Sequence, residues 1–153
     1  MAEIIWVHLC DYAFSERFGK ASIIGEFDRI YSPKFPTKFP QLFLALKMRL
    51  ANEERFTLEI VFRAPDGNII AGSTVPEERM KLNQGNQKAV FIFAFYNLNL
   101  PEPGEYSVDI RVNGTTVYIL PLLAMTPPQP ITQLPPSAPA KKTPKTGKQA
   151  PTH

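Results

Sequence analysis

Apolar and polar residues alternate with a period of two through most of this chain, and that spacing commits it to a β fold. "QLFLALKMRLA" is the sharpest instance: Leu42, Leu44, Leu46, Met48 and Leu50 fall on one side, Lys47 and Arg49 on the other. Successive side chains of an extended strand point to opposite faces, so this stretch has one face for a core and one for solvent. "RFTLEIVFRA" repeats it, with Phe56, Leu58, Ile60 and Phe62 inward and Thr57, Glu59 and Arg63 outward. The "ANEE" between them has hairpin length, which predicts that these two strands pair.

Turn chemistry marks the next elements. In "APDGNII", Pro65 presets φ and Gly67 accepts the left-handed conformation, so a turn and a short strand over 68–73 are expected. Residues 76–87 are polar and weakly patterned, which fits a long loop or one helical turn. In "KAVFIFAFYNL", Val90, Ile92, Ala94 and Tyr96 alternate with Ala89, Phe91, Phe93 and Phe95. Both faces are apolar, so this strand is expected to be central and covered on both sides, one cover coming from a loop or a partner. "PEPGEYSVDIRVNGTTVYILPLL" reads as a hairpin about Asn113-Gly114, a pair suited to a turn with φ > 0 at both positions. Tyr106, Val108, Ile110 and Val112 point in; Ser107, Asp109 and Arg111 point out. "EIIWVHLCDYAF" and "KASIIGEFDRIY" make a first hairpin around "SERFG". Seven or eight strands and no helix predict an antiparallel, immunoglobulin-like β-sandwich over residues 1–126.

Residues 127–153 are different material. They hold eight of the sixteen prolines and Lys141, Lys142, Lys145 and Lys148 but no acidic residue. Such a segment cannot bury enough apolar surface to offset chain entropy, so a disordered Pro/Lys-rich tail is expected. The tail carries +4 and the whole chain +3, leaving residues 1–126 at −1. The basic character is thus no property of a folded face, and a nucleic-acid-binding domain is disfavoured; weak contact through the tail is the most the charge supports. One cysteine rules out an internal disulfide framework. Glu3 stands where an export signal carries Lys or Arg, and His8 and Asp11 interrupt the apolar run, so no signal peptide is expected. No run of eighteen apolar residues exists to span a membrane.

"LCDYAFSERFGKASIIGEFDRIYSPKFP", together with "PEPGEYSVDIRVNG", resembles a family of small uncharacterised bacterial proteins. Its members run Cys-Asp-Tyr-Ala, a short connector, Gly-Lys, Ser-Ile-Ile-Gly, Phe-Asp-Arg-Ile and a proline-bracketed aromatic loop. The resemblance covers roughly residues 4–124 and implies a single all-β domain in an intracellular, cytoplasmic setting. It carries over no functional residue, and the Pro/Lys tail lies outside the pattern.

"HLCDYA" at 8–13 puts His8, Cys10 and Asp11 within four positions, which invites a triad. On a strand, His8 and Cys10 share a face about 6.5–7 Å apart and Asp11 lies on the other. No nucleophile–base–orienter chain forms at such spacing, so no catalytic residue is assigned. The other histidine is His153, the last residue, so no metal set is expected either. Cys10 reads as a small buried apolar group, and His8 as a strand residue facing Glu26 if paired positions sum to about 34. Asp28-Arg29 precedes the proline loop and suits a binding contact or a turn-capping ion pair. "PKFPTKFP" doubles Lys-Phe-Pro: Lys34, Phe35, Lys38 and Phe39 would form a protein contact, unless Phe35 and Phe39 fold back to plug the sandwich end.

The expectation is a non-enzymatic β-sandwich module without a cofactor that binds another protein, or itself, with Asp28, Arg29, Lys34, Phe35, Lys38 and Phe39 as the candidate contacts. The alternative is a small-molecule or glycan binder using an aromatic end made of Trp6, Tyr12, Phe35 and Phe39. An enzyme built on Cys10, His8 and Asp28 is the third possibility.

Overall fold

The alternating segments are strands in the structure, a computed structural model that describes residues 3–16, 20–50, 56–76 and 88–128. They are β1 (Glu3–Ser15), β2 (Ala21–Glu26), β3 (Arg29–Tyr31), β4 (Thr37–Arg49), β5 (Leu58–Arg63), β6 (Ile69–Val75), β7 (Lys88–Leu100), β8 (Gly104–Val112) and β9 (Thr115–Met125). No described residue is helical. Sheet 1 has the order β2-β1-β4-β7 and sheet 2 the order β3-β9-β8-β5-β6. Every pairing is antiparallel except β3 with β9. The described residues therefore form an all-β sandwich of nine strands rather than seven or eight, the short β3 being the strand that alternation could not show.

The inner faces meet in one core. Leu42, Leu44, Leu46 and Met48 of β4 oppose Leu58, Ile60 and Phe62 of β5 and Tyr106, Val108 and Ile110 of β8, all fully buried. Phe62 and Phe95 reach across with ring centroids 4.7 Å apart in an edge-to-face arrangement, a geometry worth about 0.5–1.5 kcal/mol beyond area burial. The inward assignments made from alternation hold at these positions.

Three expectations about pairing do not. β4 and β5 form no hairpin: they lie in different sheets. Alternation states which face a residue occupies but not which strand lies beside it. β7 is not central but an edge of sheet 1, buried through Phe93 and Phe95 on its inner face, with Ala94 and Tyr96 exposed on the other. The first hairpin stops short as well. β2 pairs β1, but after Gly25 and Phe27 the chain leaves sheet 1 and runs as β3 beside β9 in sheet 2. Gly25 makes that departure possible. Its φ is 68°, and a Cβ there would collide with the Asp11 carboxylate. The loop expected over 76–87 and the tail expected over 127–153 lie outside the described residues, apart from their first one or two positions.

The turns follow the sequence. Gly67 N–H donates to the Ala64 carbonyl, and Asp66 accepts from the Asn68 backbone and side chain. Asn113 and Gly114 have φ of 53° and 82°, as the turn pair requires, and Asn113 exchanges two further hydrogen bonds with the Thr57 backbone. One device went unread in the sequence. The hydroxyl of fully buried Tyr106 donates to the Glu102 carbonyl at 2.6 Å and accepts from the Glu102 N–H at 3.2 Å, fastening the corner where the chain passes from β7 to β8. This is a tyrosine corner.

Tyr106→Phe keeps the ring and removes both bonds, so unfolding stability should fall by about 1–3 kcal/mol. Urea titration checks this: the midpoint should drop with no change in slope, and an unchanged midpoint would refute the corner's role.

Candidate functional site

The opening cluster is positioned by three strands. Cys10 stands opposite Phe43 of β4 and Glu26 of β2, and His8 opposite Ala45 of β4. Paired positions of β1 and β2 sum to 36, not 34. A slip of two residues preserves faces, so His8 and Glu26 still share one and meet diagonally, Nδ1 to Oε1 at 2.5 Å. Cys10 is fully buried and its Sγ donates to the Phe43 carbonyl at 3.7 Å. Burial, then the charges of Asp11 and Glu26, push its thiol above the ordinary value of 9.0, against a backbone hydrogen bond from Tyr12. The imidazole and the thiol thus have separate partners, and Asp11 lies beside Gly25. Asp28 is exposed, next to Arg29. Among the described residues no three His, Cys, Asp or Glu gather as a metal-ligand set.

The six candidate contacts divide by burial. Phe35 and Phe39 are half-buried against the main core, Phe39 with its ring 5.9 Å from that of Phe27. Lys34 and Lys38 are exposed. The Asp28 carboxylate is 3.7 Å from Arg29 Nε in solvent, while its carbonyl accepts from Leu123 N–H where β3 begins. Trp6 and Tyr12 belong to a different surface, so the aromatic end imagined for a glycan is not assembled. A cavity of about 400 Å³ does sit beside the loop, but Pro36 and Thr37 line it rather than the phenylalanines, together with Asp66, Asn68, Asn99 and Leu100.

The surface holding Trp6 and Tyr12 is the outer face of sheet 1. Register places Trp6, His8, Cys10, Tyr12 and Phe14 of β1 there, beside Ile24 of β2 and Phe43 and Ala45 of β4. Ile92, Ala94 and Tyr96 of β7 continue it. Trp6 and Ile92 pack with buried Cys10, Phe43 and Ala45, in a cluster that also takes in the Ala13 and Ile23 pair of the opposite parity. Tyr12, Ile24 and Tyr96 stand 45%, 54% and 61% exposed, with the Tyr12 ring set edge-to-face on Phe43 at 4.9 Å. Among the described residues, no strand or loop lies over this face.

Sheet 2 differs, although Val61 of β5 and exposed Ile119 of β9 share the outward parity of its charged residues. Its outer face carries Glu59, Arg63, Ser107, Asp109 and Arg111, tied by Arg63 Nε to Asp109 at 2.9 Å and Arg111 to Glu59 at 3.3 Å. Asp109 is buried there beneath its arginine partner. That is the normal state of a sheet face turned to water.

A second feature follows from the crossing at Gly25. β2 covers β1 only from Cys10 to Ser15, and β3 covers β9 only from Leu123 to Met125. The other halves of β1 and β9 are open edges, and a cleft of about 340 Å³ lies between them, lined by Val7, His8, Leu9, Glu26, Leu120 and Pro121. Pro121 offers no N–H to a further strand, which blunts this edge.

The comparisons follow this anatomy. A family model matches residues 5–125, from within β1 to the last residue of β9. The chain belongs to DUF6941. That is a family of unknown function, so membership brings no activity with it. No curated protein matches the chain. Among solved structures, the C-terminal domain of wzt is similar at 16% identity and a TM-score of 0.45, over 83% of this chain and 74% of that one. A β-glucosidase from Listeria innocua in complex with isofagomine is similar at 10% identity and 0.43, over 78% of this chain but only 16% of the enzyme. Neither likeness bears on what this DUF6941 chain does.

The Cys10 environment predicts slow thiol labelling in the native protein, rising by orders of magnitude in denaturant; fast native labelling would contradict the burial. The Tyr106 hydroxyl is likewise pushed above its ordinary 10.0, chiefly by burial. Both groups hold their protons more tightly when folded, so their stabilisation is complete below pH 9.0 and is lost as pH rises above it. Thermal unfolding followed from pH 8 upward should show the melting temperature falling through that range.

Proposed function

We propose that this DUF6941 protein is a non-enzymatic interaction module of the bacterial cytoplasm, and that it binds protein through the outer face of sheet 1. The observation that carries the reading is the outer face of sheet 1, where Tyr12, Phe14, Ile24 and Tyr96 are exposed together around buried Cys10, Phe43 and Ala45, whereas exposed Ile119 on sheet 2 stands among ion pairs. Exposing that much contiguous apolar surface is costly for a monomer and is the usual mark of a recognition surface. Aromatic residues are also those that dominate interface energetics. The candidate contacts of the Lys-Phe-Pro loop are secondary here, since its phenylalanines pack inward. A small polar ligand is the second reading, supported by Thr37, Asp66, Asn68 and Asn99 around the 400 Å³ cavity.

Lysine at Ile24 or Tyr96 tests the first reading, because both side chains are mostly solvated and their replacement should change stability by no more than about 0.5 kcal/mol. A tagged chain should retrieve its partner, whether another protein or an untagged copy of itself. Ile24→Lys and Tyr96→Lys should reduce that retrieval at least about tenfold, equivalent to 1.4 kcal/mol, while Thr74→Lys on sheet 2 leaves it intact. Equal retrieval by all three variants would end the proposal.

A further inference from the structure

We infer that the occupant of the outer face of sheet 1 is a second copy of this chain, the two sheets packing face to face about a two-fold axis. This deepens the interaction reading and rests on it. Size is the first argument. Three strands of about nine residues and the six-residue β2, about 4.8 Å apart and ~3.3 Å per residue, give ~520 Å² of plan area, or ~1,050 Å² for two copies. That clears the ~1,000 Å² expected of a specific interface.

Shape is the second. Small, exposed Ala94 lies between the larger Ile92 and Tyr96, and Tyr12 and Ile24 stand out across the face, so its surface has relief rather than being flat. Facing sheets bury such relief by interdigitating at about 30° between strand directions. A two-fold partner presents the same relief, so each ridge has a hollow to enter.

Charge selects the arrangement. Lys47, Arg49 and Lys88 gather at one end of the face, where Glu3 engages Arg49 at 3.2 Å. The other end, with Phe14, Ser22, Gln41 and Tyr96, carries the Glu16 carboxylate, which accepts from the Ser22 hydroxyl at 3.3 Å. A two-fold axis along the strands would set the two basic ends against each other. An axis across the strands sets each basic end over its partner's Glu16 end, so the facing strands of the two copies run in opposite directions. The His8–Glu26 pair lies at the β2 side and leaves the centre of the face free of unpaired charge.

Light scattering on the purified full chain from micromolar to millimolar concentration tests this, with circular dichroism confirming that each variant is folded. The expected mass is twice 17.2 kDa; the Ile24→Lys, Tyr96→Lys double variant should run as a folded monomer, and Thr74→Lys as a dimer. A wild-type monomer throughout overturns the inference, as does a dimer that survives the double variant. Hydrogen exchange divides the monomer case. Protected amides around Ile24 and Tyr96 would mean a segment of the same chain covers the face, and unprotected ones would leave it to a different protein. If a monomer still retrieves another protein through Ile24 and Tyr96, the dimer is lost and the interaction reading stands. If retrieval also ignores those residues, both are lost.

Discussion

Two sheets share a single apolar layer, and everything else in the structure is arranged around it. With 44% apolar residues in the whole chain, the layer draws on β1, β4 and β7 from one side and β5, β8 and β9 from the other. Each strand gives it alternate residues, so burying one parity forces the other parity outward. On sheet 2 the outward parity of β5 and β8 is largely charged and settles into ion pairs, while β9 adds Ile119, Pro121 and Leu123. On sheet 1 it is aromatic and aliphatic. The outer apolar face is therefore no packing defect but the residue of a pattern that already satisfied its core.

That surplus accounts for the behaviour of the opening cluster. Cys10 is buried although it points away from the core, because Phe43, Trp6 and Ile92 close over it on the outer face. The same apolar surroundings that raise its proton affinity remove it from the reach of His8, which is held by Glu26 instead. A cysteine, a histidine and an aspartate adjacent in sequence thus serve three separate local environments.

Face assignment was legible from single residues, and partnership was not. Leu42 to Met48, Phe56 to Phe62 and Tyr106 to Ile110 could be read as inward because parity is a local property of an extended chain. Whether β4 lies beside β5 depends on a crossing that parity does not encode, and so the expected hairpin dissolved. The doubly apolar stretch around Phe91 to Tyr96 was the one legible sign of the candidate surface. Its meaning changed from a buried central strand to an edge strand with an uncovered side. The Lys-Phe-Pro repeat drew attention because Phe in a loop looks exposed, whereas Phe35 and Phe39 turn back to the core. Tyr106 read as one more inward residue, since nothing in the spacing of "PEPGEY" marks a hydroxyl that reaches back four positions.

The passage through Gly25 has a further consequence. Residues 21–31 form the margin of sheet 1 with their first half and the margin of sheet 2 with their second. The bonds from Phe27 N–H to the Leu9 carbonyl and from Leu123 N–H to the Asp28 carbonyl sit one residue apart on this segment. The segment is a clasp shared by both layers. Loosening it frees both margins in a single event, so the two sheets are coupled at their periphery as well as through the core, and neither can fray there alone.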